Sequence, residues 1–424
     1  MRTGFSSEQL QAPHLSECET NLRKCVHCGI CTATCPTYVL LGDERDSPRG
    51  RIVMMQQMLE EGGPPSPQTV HHVDRCLSCL ACSTACPSSV DYRRLVDQAR
   101  AHIETHHIRP RDERVLRWFI ANVMTRPLLA GLGLFMARNF VPLARLLPEK
   151  FRVMAVAGAT TRRHAHRSAL KIDVPAGARA IALMPGCAQK SLAPQIDKAV
   201  ARVLARRGLR LVPLAGAGCC GALGHHLGRD ARGWAKRAIM AFEKAGGAEA
   251  FEAILISATG CSAHLKDLAH LFIGDAEWEP RAQAFAAKVR DFCEIAAPRA
   301  ATPPRELRIA YHAACSLQHG LKLGGAGEAL LEAAGFTVLS IPEGHLCCGS
   351  AGSYSILQPD IAGALRNRKL ANIATLEADA VVSGNIGCLS HLAGGDAPPF
   401  LHLAEILDWA EGGPEPMALA VAAR

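Results

Sequence analysis

The sequence predicts an α+β multidomain protein in which a mostly helical N-terminal domain precedes two homologous α/β domains. Three observations lead to this prediction. Nine of the 18 cysteines lie in two tight groups before residue 110, and the other nine are widely spaced after residue 176. The second half of the chain repeats one pattern, in which short apolar runs alternate with helical stretches. The length of 424 residues suits about three domains.

Composition and charge exclude several classes of protein. With 49% apolar and 20% charged residues, the chain is an ordinary globular protein. Its net charge of +8 is not concentrated in blocks, which argues against a dedicated nucleic-acid binder. The first residues contain no apolar run, so we expect no secretory signal and expect thiols that are reduced or bound to metal. Arginines and prolines interrupt the longest apolar stretch, 115–148, so no transmembrane span is predicted.

Two cysteine runs of identical spacing occupy the N-terminal region. Each follows the pattern C-x2-C-x2-C-x3-C-P, at 25–36 and at 76–87. Three cysteines at two-residue gaps let one loop cover three corners of a [4Fe–4S] cube, and the proline turns the fourth thiolate toward the other cluster. The spacing therefore predicts a two-cluster ferredoxin-like domain. The expected ligands are Cys25, Cys28, Cys31 and Cys86 for cluster 1, and Cys76, Cys79, Cys82 and Cys35 for cluster 2.

Zinc is the competing interpretation of these runs, because zinc also uses Cys-x2-Cys pairs. Zinc has no use for the third cysteine of each run or for the proline, so the pattern favours two [4Fe–4S] clusters. Cys18 and His27 are expected to be bystanders, since each cube already has four thiolates. Lys24 and Arg75 directly precede the runs; they could raise the cluster potentials, but we favour solvated surface charges.

The C-terminal half contains two copies of one cysteine pattern, displaced by 128 residues for the first three cysteines and by 127 for the last. The short motifs Cys-Cys-Gly and Cys-x-x-His occur in both copies. A repeat of this length indicates two copies of one domain. The repeated cysteines are Cys187, Cys219, Cys220 and Cys261 in the first copy, and Cys315, Cys347, Cys348 and Cys388 in the second.

Each copy is predicted to form a parallel sheet covered by helices, because strand and helix patterns alternate. Every repeated cysteine follows a predicted strand by a few residues, so we expect these thiols at the carboxyl edge of the sheet, where open α/β folds place ligands. The predicted strands are 180–184, 209–214, 253–257, 307–311, 336–341 and 380–383, with helices over 193–207 and 230–245. The predicted domains are 1–110, a helical connector at 111–175, 176–300 and 305–424, with an Ala/Pro-rich linker at 297–304.

The pattern C-x31-C-C-G with a distant cysteine resembles the cysteine-rich CCG domain of heterodisulfide reductases and related iron–sulfur oxidoreductases. In that family the fuller form ends in C-x-x-C, which gives five thiolates for an unusual cluster. Both copies here end in C-x-x-H instead, at His264 and His391. A third iron–sulfur centre held by four thiolates, a quinone-side site and an empty pocket therefore all stay open.

Two ferredoxin-type runs followed by two CCG domains form the layout of the iron–sulfur subunit of glycolate oxidase, which this chain resembles over nearly its whole length. The segments 44–52, 74–79 and 88–97 also look like that family. The resemblance implies an electron-transfer subunit with no catalytic residues of its own. Separate FAD-binding oxidase subunits would oxidise glycolate, and often D-lactate as well, and this chain would pass the electrons toward the membrane quinone pool. It also implies a cytoplasmic chain, or one peripheral on the inner face of the cytoplasmic membrane.

Other functions compete with this one. The iron–sulfur subunit of anaerobic glycerol-3-phosphate dehydrogenase shares the layout, whereas a heterodisulfide reductase is disfavoured because two histidines replace cysteines that its chemistry would need. An iron–sulfur redox sensor is the non-enzymatic alternative, but no DNA-reading helix or basic patch is apparent. The sequence also shows no convincing G-x-G-x-x-G opening a helix, in agreement with a flavin bound elsewhere.

The cysteine-free segment 115–147 mixes apolar residues, among them Trp118 and Phe135, with four arginines and almost no acids. This composition suits an amphipathic element that lies in an anionic membrane interface. The alternative, in which the same helices pack against the CCG domains or a flavin subunit, stays open.

Overall fold

The structure, a computed structural model, describes residues 1–126, 129, 174–394 and 397–422. It confirms the predicted fold class. A helical N-terminal region is followed by two α/β domains, each built on a parallel four-stranded sheet.

The N-terminal region consists of short helices, and proline marks where several of them begin. Pro36 and Pro48 each lie in the first turn of a helix, where the missing N–H costs no hydrogen bond. Ser47 caps the helix that follows it, because its hydroxyl accepts a hydrogen bond from the Gly50 N–H at 3.0 Å. The helices are α1 (Pro13–Lys24), α2 (Pro36–Leu41), α3 (Pro48–Glu61), α4 (Pro67–Asp74), α5 (Ala81–Thr84), α6 (Tyr92–His106) and α7 (Arg111–Phe119).

One apolar core holds the N-terminal helices and the cysteine runs together. Leu22 of α1, Met55 of α3 and Leu95 of α6 are completely buried. Cys25 and Cys76, the first cysteines of the two runs, pack into the same core. The burial of these side chains therefore brings the two runs side by side.

The first α/β domain contains strands β1 (Arg179–Leu183), β2 (Leu209–Pro213), β3 (Ile254–Ile256) and β4 (Val289–Asp291), in the order β2-β1-β3-β4. All neighbouring strands run parallel, with Ile181 opposite Leu211 and Ile254 opposite Val289. Its helices are α8 (Cys187–Leu192), α9 (Gln195–Ala205), α10 (Ala222–His226), α11 (Arg232–Lys244), α12 (Gly247–Ala250), α13 (Thr259–Lys266), α14 (Trp278–Lys288) and α15 (Phe292–Ile295).

The second α/β domain repeats this topology with β5 (Arg308–Tyr311), β6 (Thr337–Ser340), β7 (Ala380–Ser383) and β8 (Phe400–His402), in the order β6-β5-β7-β8. Each of the six predicted strands is present within two residues of its predicted ends. The fourth strand of each sheet was not predicted. The helices are α16 (Ala326–Ala333), α17 (Tyr354–Leu357), α18 (Pro359–Ala374), α19 (Ile386–Leu392), α20 (Leu403–Ala410) and α21 (Met417–Ala422).

The two α/β domains share an apolar core between their sheets. Val200 of α9 and Leu407 of α20 are buried in that core. At its edge the buried carboxylate of Asp408 accepts hydrogen bonds from Arg202 at 2.6 Å and from Arg206 at 2.9 Å. The two domains are therefore joined by apolar contact and by a buried ion pair.

The first part of the connector packs against both α/β domains. Leu116 and Ile120 are completely buried, and they contact Leu227 of the first domain and Leu357 of the second. Trp118 on the same stretch is 54% exposed. The rest of the proposed amphipathic segment, from residue 127 to 147, lies outside the described residues apart from 129. Within the part of the chain that the structure describes, no helix is long and apolar enough to cross a membrane.

Candidate metal centres

The two cysteine runs adopt the same backbone turn. His27 and Ser78, each two residues after the first cysteine of its run, have φ of 55° and 51°. Gly29 and Leu80, each one residue after the second cysteine, have φ of 82° and 63°. Left-handed conformations are costly for residues other than glycine. Their recurrence at equivalent positions shows that both loops follow the same backbone path.

The first run lines a cavity that is partly open to solvent. Its walls include Arg49, Ile52 and Tyr92, and all four thiols of the predicted cluster 1 set face it. Cys82 of the second run also reaches its wall. The thiols that line it are those of Cys25, Cys28, Cys31, Cys82 and Cys86.

A second cavity, also partly open to solvent, adjoins the first. The two cavities share Pro48, Cys82 and Tyr92 as wall residues. All four thiols of the predicted cluster 2 set line the second cavity: Cys35, Cys76, Cys79 and Cys82. The structure thus brings each predicted set together, including the fourth cysteine supplied by the other run; their ligation of iron stays a prediction.

The donor chemistry of both cavities suits an iron–sulfur cluster. Five cysteines line the first cavity and four line the second, and thiolates are the ligands of [4Fe–4S] cubes. Burial raises the pKa of Cys79 and Cys82 well above the usual value. A free thiol in this environment therefore keeps its proton. The positive charge of bound iron would stabilise the thiolate and so compensate for the hydration that burial removes.

A buried charge network lies beside the second cavity. The Asp46 carboxylate is completely buried and accepts hydrogen bonds from Arg51 at 3.0 Å and from Arg75 at 2.9 Å. His72 Nδ1 lies 3.0 Å from the same carboxylate. Arg51 also points Nη1 at Cys35 Sγ, at 3.9 Å. Arg75 is therefore part of a buried network, and its interpretation as a solvated surface charge is wrong.

Arg51 was missed as a site residue. It lies in the segment 44–52, but nothing in its immediate neighbours signals burial. The structure leaves its side chain 1% exposed, with Nε donating to the His72 carbonyl at 2.7 Å. A guanidinium that donates toward a ligand sulfur raises the potential of an iron–sulfur centre, because it stabilises the extra negative charge of the reduced state.

The repeated cysteines gather into one group in each α/β domain. In the first, Cys219 Sγ lies 3.5 Å from Cys187 Sγ, and Cys220 Sγ lies 3.1 Å from Cys261 Sγ. The Gly221 N–H donates to Cys219 Sγ at 3.4 Å. Hydrogen bonds from Cys187 and Cys220 lower the pKa of Cys219. The group lies beyond the carboxyl ends of β1, β2 and β3, as predicted.

The second domain holds the equivalent group. Cys315 Sγ lies 3.8 Å from Cys347 Sγ. Cys348 is a hydrogen-bond neighbour of both Cys347 and Cys388. Asn385 Nδ2 donates to Cys388 Sγ at 3.4 Å. Four thiols are therefore available at the edge of each sheet.

The two histidines of the C-x-x-H motifs lie beside groups other than the cysteine thiols. His264 is buried, and its ring centroid lies 5.2 Å from that of His225. His225 Nε2 in turn lies 3.1 Å from Asp97 Oδ2 on α6. His391 Nε2 lies 3.3 Å from the carbonyl oxygen of Ala362. His264 therefore lies beside the residue that pairs with Asp97, and His391 bonds to backbone.

The second thiol group lies against the second cysteine run. Cys79 and Cys315 pack around one apolar cluster that contains Leu77, Cys347 and Tyr354. The Tyr354 hydroxyl donates to the Arg75 carbonyl at 2.9 Å. The predicted cluster 2 and the thiol group of the second α/β domain are therefore neighbours.

Comparison with known families matches the same three regions. The family model described as "4Fe-4S dicluster domain" matches residues 21–90, and the "Cysteine-rich domain" model matches residues 181–266 and 309–393. These matches support iron–sulfur clusters as the cofactors.

Relatives match the chain at full length or over part of it. The Glycolate oxidase iron-sulfur subunit of Escherichia coli (strain K12) is 39% identical over 420 residues, which cover 97% of this chain and 99% of that protein. The Probable glycolate oxidase iron-sulfur subunit of Bacillus subtilis (strain 168) is 29% identical over 88% of each chain. Lactate utilization protein A of Exiguobacterium sp. is 28% identical over 54% of this chain and 96% of its own.

Proposed function

This chain belongs to the family of glycolate oxidase iron–sulfur subunits, and from that premise we propose that it carries electrons from a flavin-dependent 2-hydroxy acid dehydrogenase toward a membrane quinone. The substrate of the complex would be glycolate, and D-lactate as well. FAD would be bound by partner subunits. The chain itself would take no part in the oxidation of the substrate, which is the step that needs an acid–base site and a flavin.

The observation that carries this proposal is the adjacency of the two cavities. Each is lined by the four cysteines of one predicted set, and they share Cys82 and Tyr92 as walls. Two clusters held in these cavities would be separated by a single layer of side chains. Such spacing suits electron hopping from one cluster to the next.

The outer face of the first cavity is the proposed entry point for electrons. Cys28 is exposed, and Val26 and Ile30 beside it are 68% and 53% exposed. An exposed ligand flanked by apolar side chains suits docking of a flavin subunit. The apolar side chains would form the contact, and the exposed ligand would bring the flavin close to the cluster. The second cavity, which lies toward the second CCG domain, would then receive the electron.

We also propose that the chain works at the inner face of the cytoplasmic membrane, as a peripheral protein. Val115 and Trp118 are exposed on α7, directly before the arginine-rich segment that begins at residue 126. Apolar side chains next to arginines suit binding to an anionic interface. Liposome flotation of the complex tests this, because Trp118→Ser should reduce flotation if the segment contacts lipid.

The electron-transfer role is tested by reconstitution with the flavin subunits. The isolated chain should show no glycolate-dependent reduction of a dye, and mixing with the flavin subunits should produce it. Cys79→Ala should block dye or quinone reduction while the flavin is still reduced by glycolate. Turnover by the single chain would contradict the proposal, and a response to glycerol 3-phosphate but not to 2-hydroxy acids would favour the alternative complex.

A further inference from the structure

His312 is a buried histidine whose ring has no hydrogen-bond partner. It directly follows β5 and is 3% exposed. Its backbone N–H is paired with the Val382 carbonyl at 2.8 Å, but neither Nδ1 nor Nε2 has a partner in the described part of the chain. A buried polar group without a partner costs about 1–3 kcal/mol. The ring therefore lies where a ligand would satisfy it.

Two thiols of the second CCG domain face this ring. The ligand atoms of His312, Cys348 and Cys388 all lie within 4.8 Å of one another, and all three residues are buried. A tetrahedral metal ion that is about 2.0–2.3 Å from each nitrogen or sulfur ligand holds its ligand atoms about 3.3–3.8 Å apart. The group has the donors of a metal site, and rotation of the side chains would bring them to that spacing.

Further thiols and one cation surround the same point. Cys347 adjoins Cys348, and Cys315 Sγ is 3.8 Å from Cys347 Sγ. The Lys369 side chain is 2% exposed and lies near these thiols and His312.

The first CCG domain does not provide the same donors. The position 128 residues before His312 is Met184, which packs in the apolar core of that domain. His264 of the first domain lies beside His225 instead. The two repeats thus share four cysteines, but among the described residues only the second copy groups an imidazole with two of its thiols.

The geometry points to a metal centre in the second CCG domain that is held by Cys348, Cys388 and the imidazole of His312, with Cys315 and Cys347 as the neighbouring thiolate donors. His312, not His391, takes the place of the fifth cysteine. Thiolate and imidazole donors select iron, alone or in a cluster, or zinc. This inference does not depend on the proposed electron-transfer function.

The test is the metal content of the full-length chain after anaerobic purification and reconstitution with iron and sulfide. We expect metal in excess of the about eight irons of two [4Fe–4S] clusters, with iron, zinc and sulfide counted separately. His312→Ala should lose the excess and keep the eight irons, which also show that the variant is folded. His391→Ala, the matched control, should keep both.

Spectroscopy identifies the nitrogen ligand independently of any variant. If the excess metal is iron, pulsed EPR of the wild type should show a directly bound imidazole nitrogen. If it is zinc, X-ray absorption should show one nitrogen among the sulfur neighbours. His312→Ala should abolish either signal, and His391→Ala should not.

Three results would overturn the inference: no metal beyond the eight irons in the wild type, retention of the excess in His312→Ala, or only sulfur neighbours around the excess metal. Loss of the eight irons would instead count against the electron-transfer proposal. The two failures are thereby distinguished.

Discussion

Replacing Arg51 by methionine should lower the midpoint potential of the second cluster by roughly 85 mV. The Arg51 guanidinium lies 3.9 Å from Cys35 Sγ, and its side chain is 1% exposed. A unit charge at that distance contributes about 4 kcal/mol at an effective dielectric constant of about 20. Methionine keeps most of the apolar stem but removes this charge.

The buried Asp46 carboxylate offsets part of the effect, because it binds the same guanidinium at 3.0 Å. Asp46 also keeps its partners Arg75 and His72 after the substitution. If about half of the interaction survives this offset, about 2 kcal/mol remains, which is about 85 mV for one electron. The reduced cluster is more negative than the oxidised one, so loss of the cation makes reduction harder and the potential falls.

The assay is a redox titration of the full-length protein followed by EPR. Arg51→Lys keeps the charge and should shift the potential by less than half as much. Arg45→Met is the matched control, because Arg45 pairs with Asp43 at the surface and should leave both clusters unchanged. An unchanged second-cluster potential in Arg51→Met with full iron content, or equal shifts in the lysine and methionine variants, would refute the reasoning.

Three further predictions concern metal content and stability. Cys79→Ala should lose about four irons; stoichiometric zinc in the wild type after anaerobic preparation would contradict the cluster assignment. Burial alone would lower the pKa of His225, but the neighbouring Asp97 carboxylate outweighs burial and the pKa of His225 is raised. The pKa of Asp97 is lowered. The charged pair therefore stabilises the fold between about pH 4 and pH 6.5. The difference in thermal midpoint between wild type and His225→Gln should therefore shrink above pH 6.5, and an increase would refute this. Asp408→Ala leaves two arginines without their buried carboxylate and should cost about 3 kcal/mol in urea unfolding, whereas Glu252→Ala, which removes an exposed pair, should cost less than about 0.5 kcal/mol; equal costs would show that burial of the pair does not matter.

Local spacing predicted most of the N-terminal site. Four cysteines in an 11-residue run can wrap a cluster only in a few ways, because the loop between Cys25 and Cys28 is too short to reach elsewhere. The turn itself needs left-handed residues, and Gly29 is the only glycine among the four positions that adopt them. Leu80 at φ 63° shows that ligand spacing, rather than turn propensity, is the reliable signal here.

The repeat likewise predicted the architecture of the two CCG domains, since apolar strand runs and the cysteines after them recur together. The fourth strand of each sheet escaped prediction because its three residues include polar side chains, as in Val-Arg-Asp at 289–291 and Phe-Leu-His at 400–402. The equally short β3 was predicted because it lies within a continuous apolar run. The pairing of the fourth strand with β3 or β7 comes from packing at the sheet edge.

The sequence by itself predicted which thiols lie together. The signals were short spacings between cysteines and a repeat of the cysteine pattern, and both can be read directly from the order of residues. Only the tertiary structure decided which charged and imidazole groups serve those thiols. His312, which follows β5, meets Cys348 and Cys388, which follow the neighbouring strands β6 and β7. Arg51 meets the His72 carbonyl through the packing of α3 against α4. Burial turns such residues from ordinary surface groups into partners of a site, and burial is a property of the folded chain rather than of neighbours in sequence.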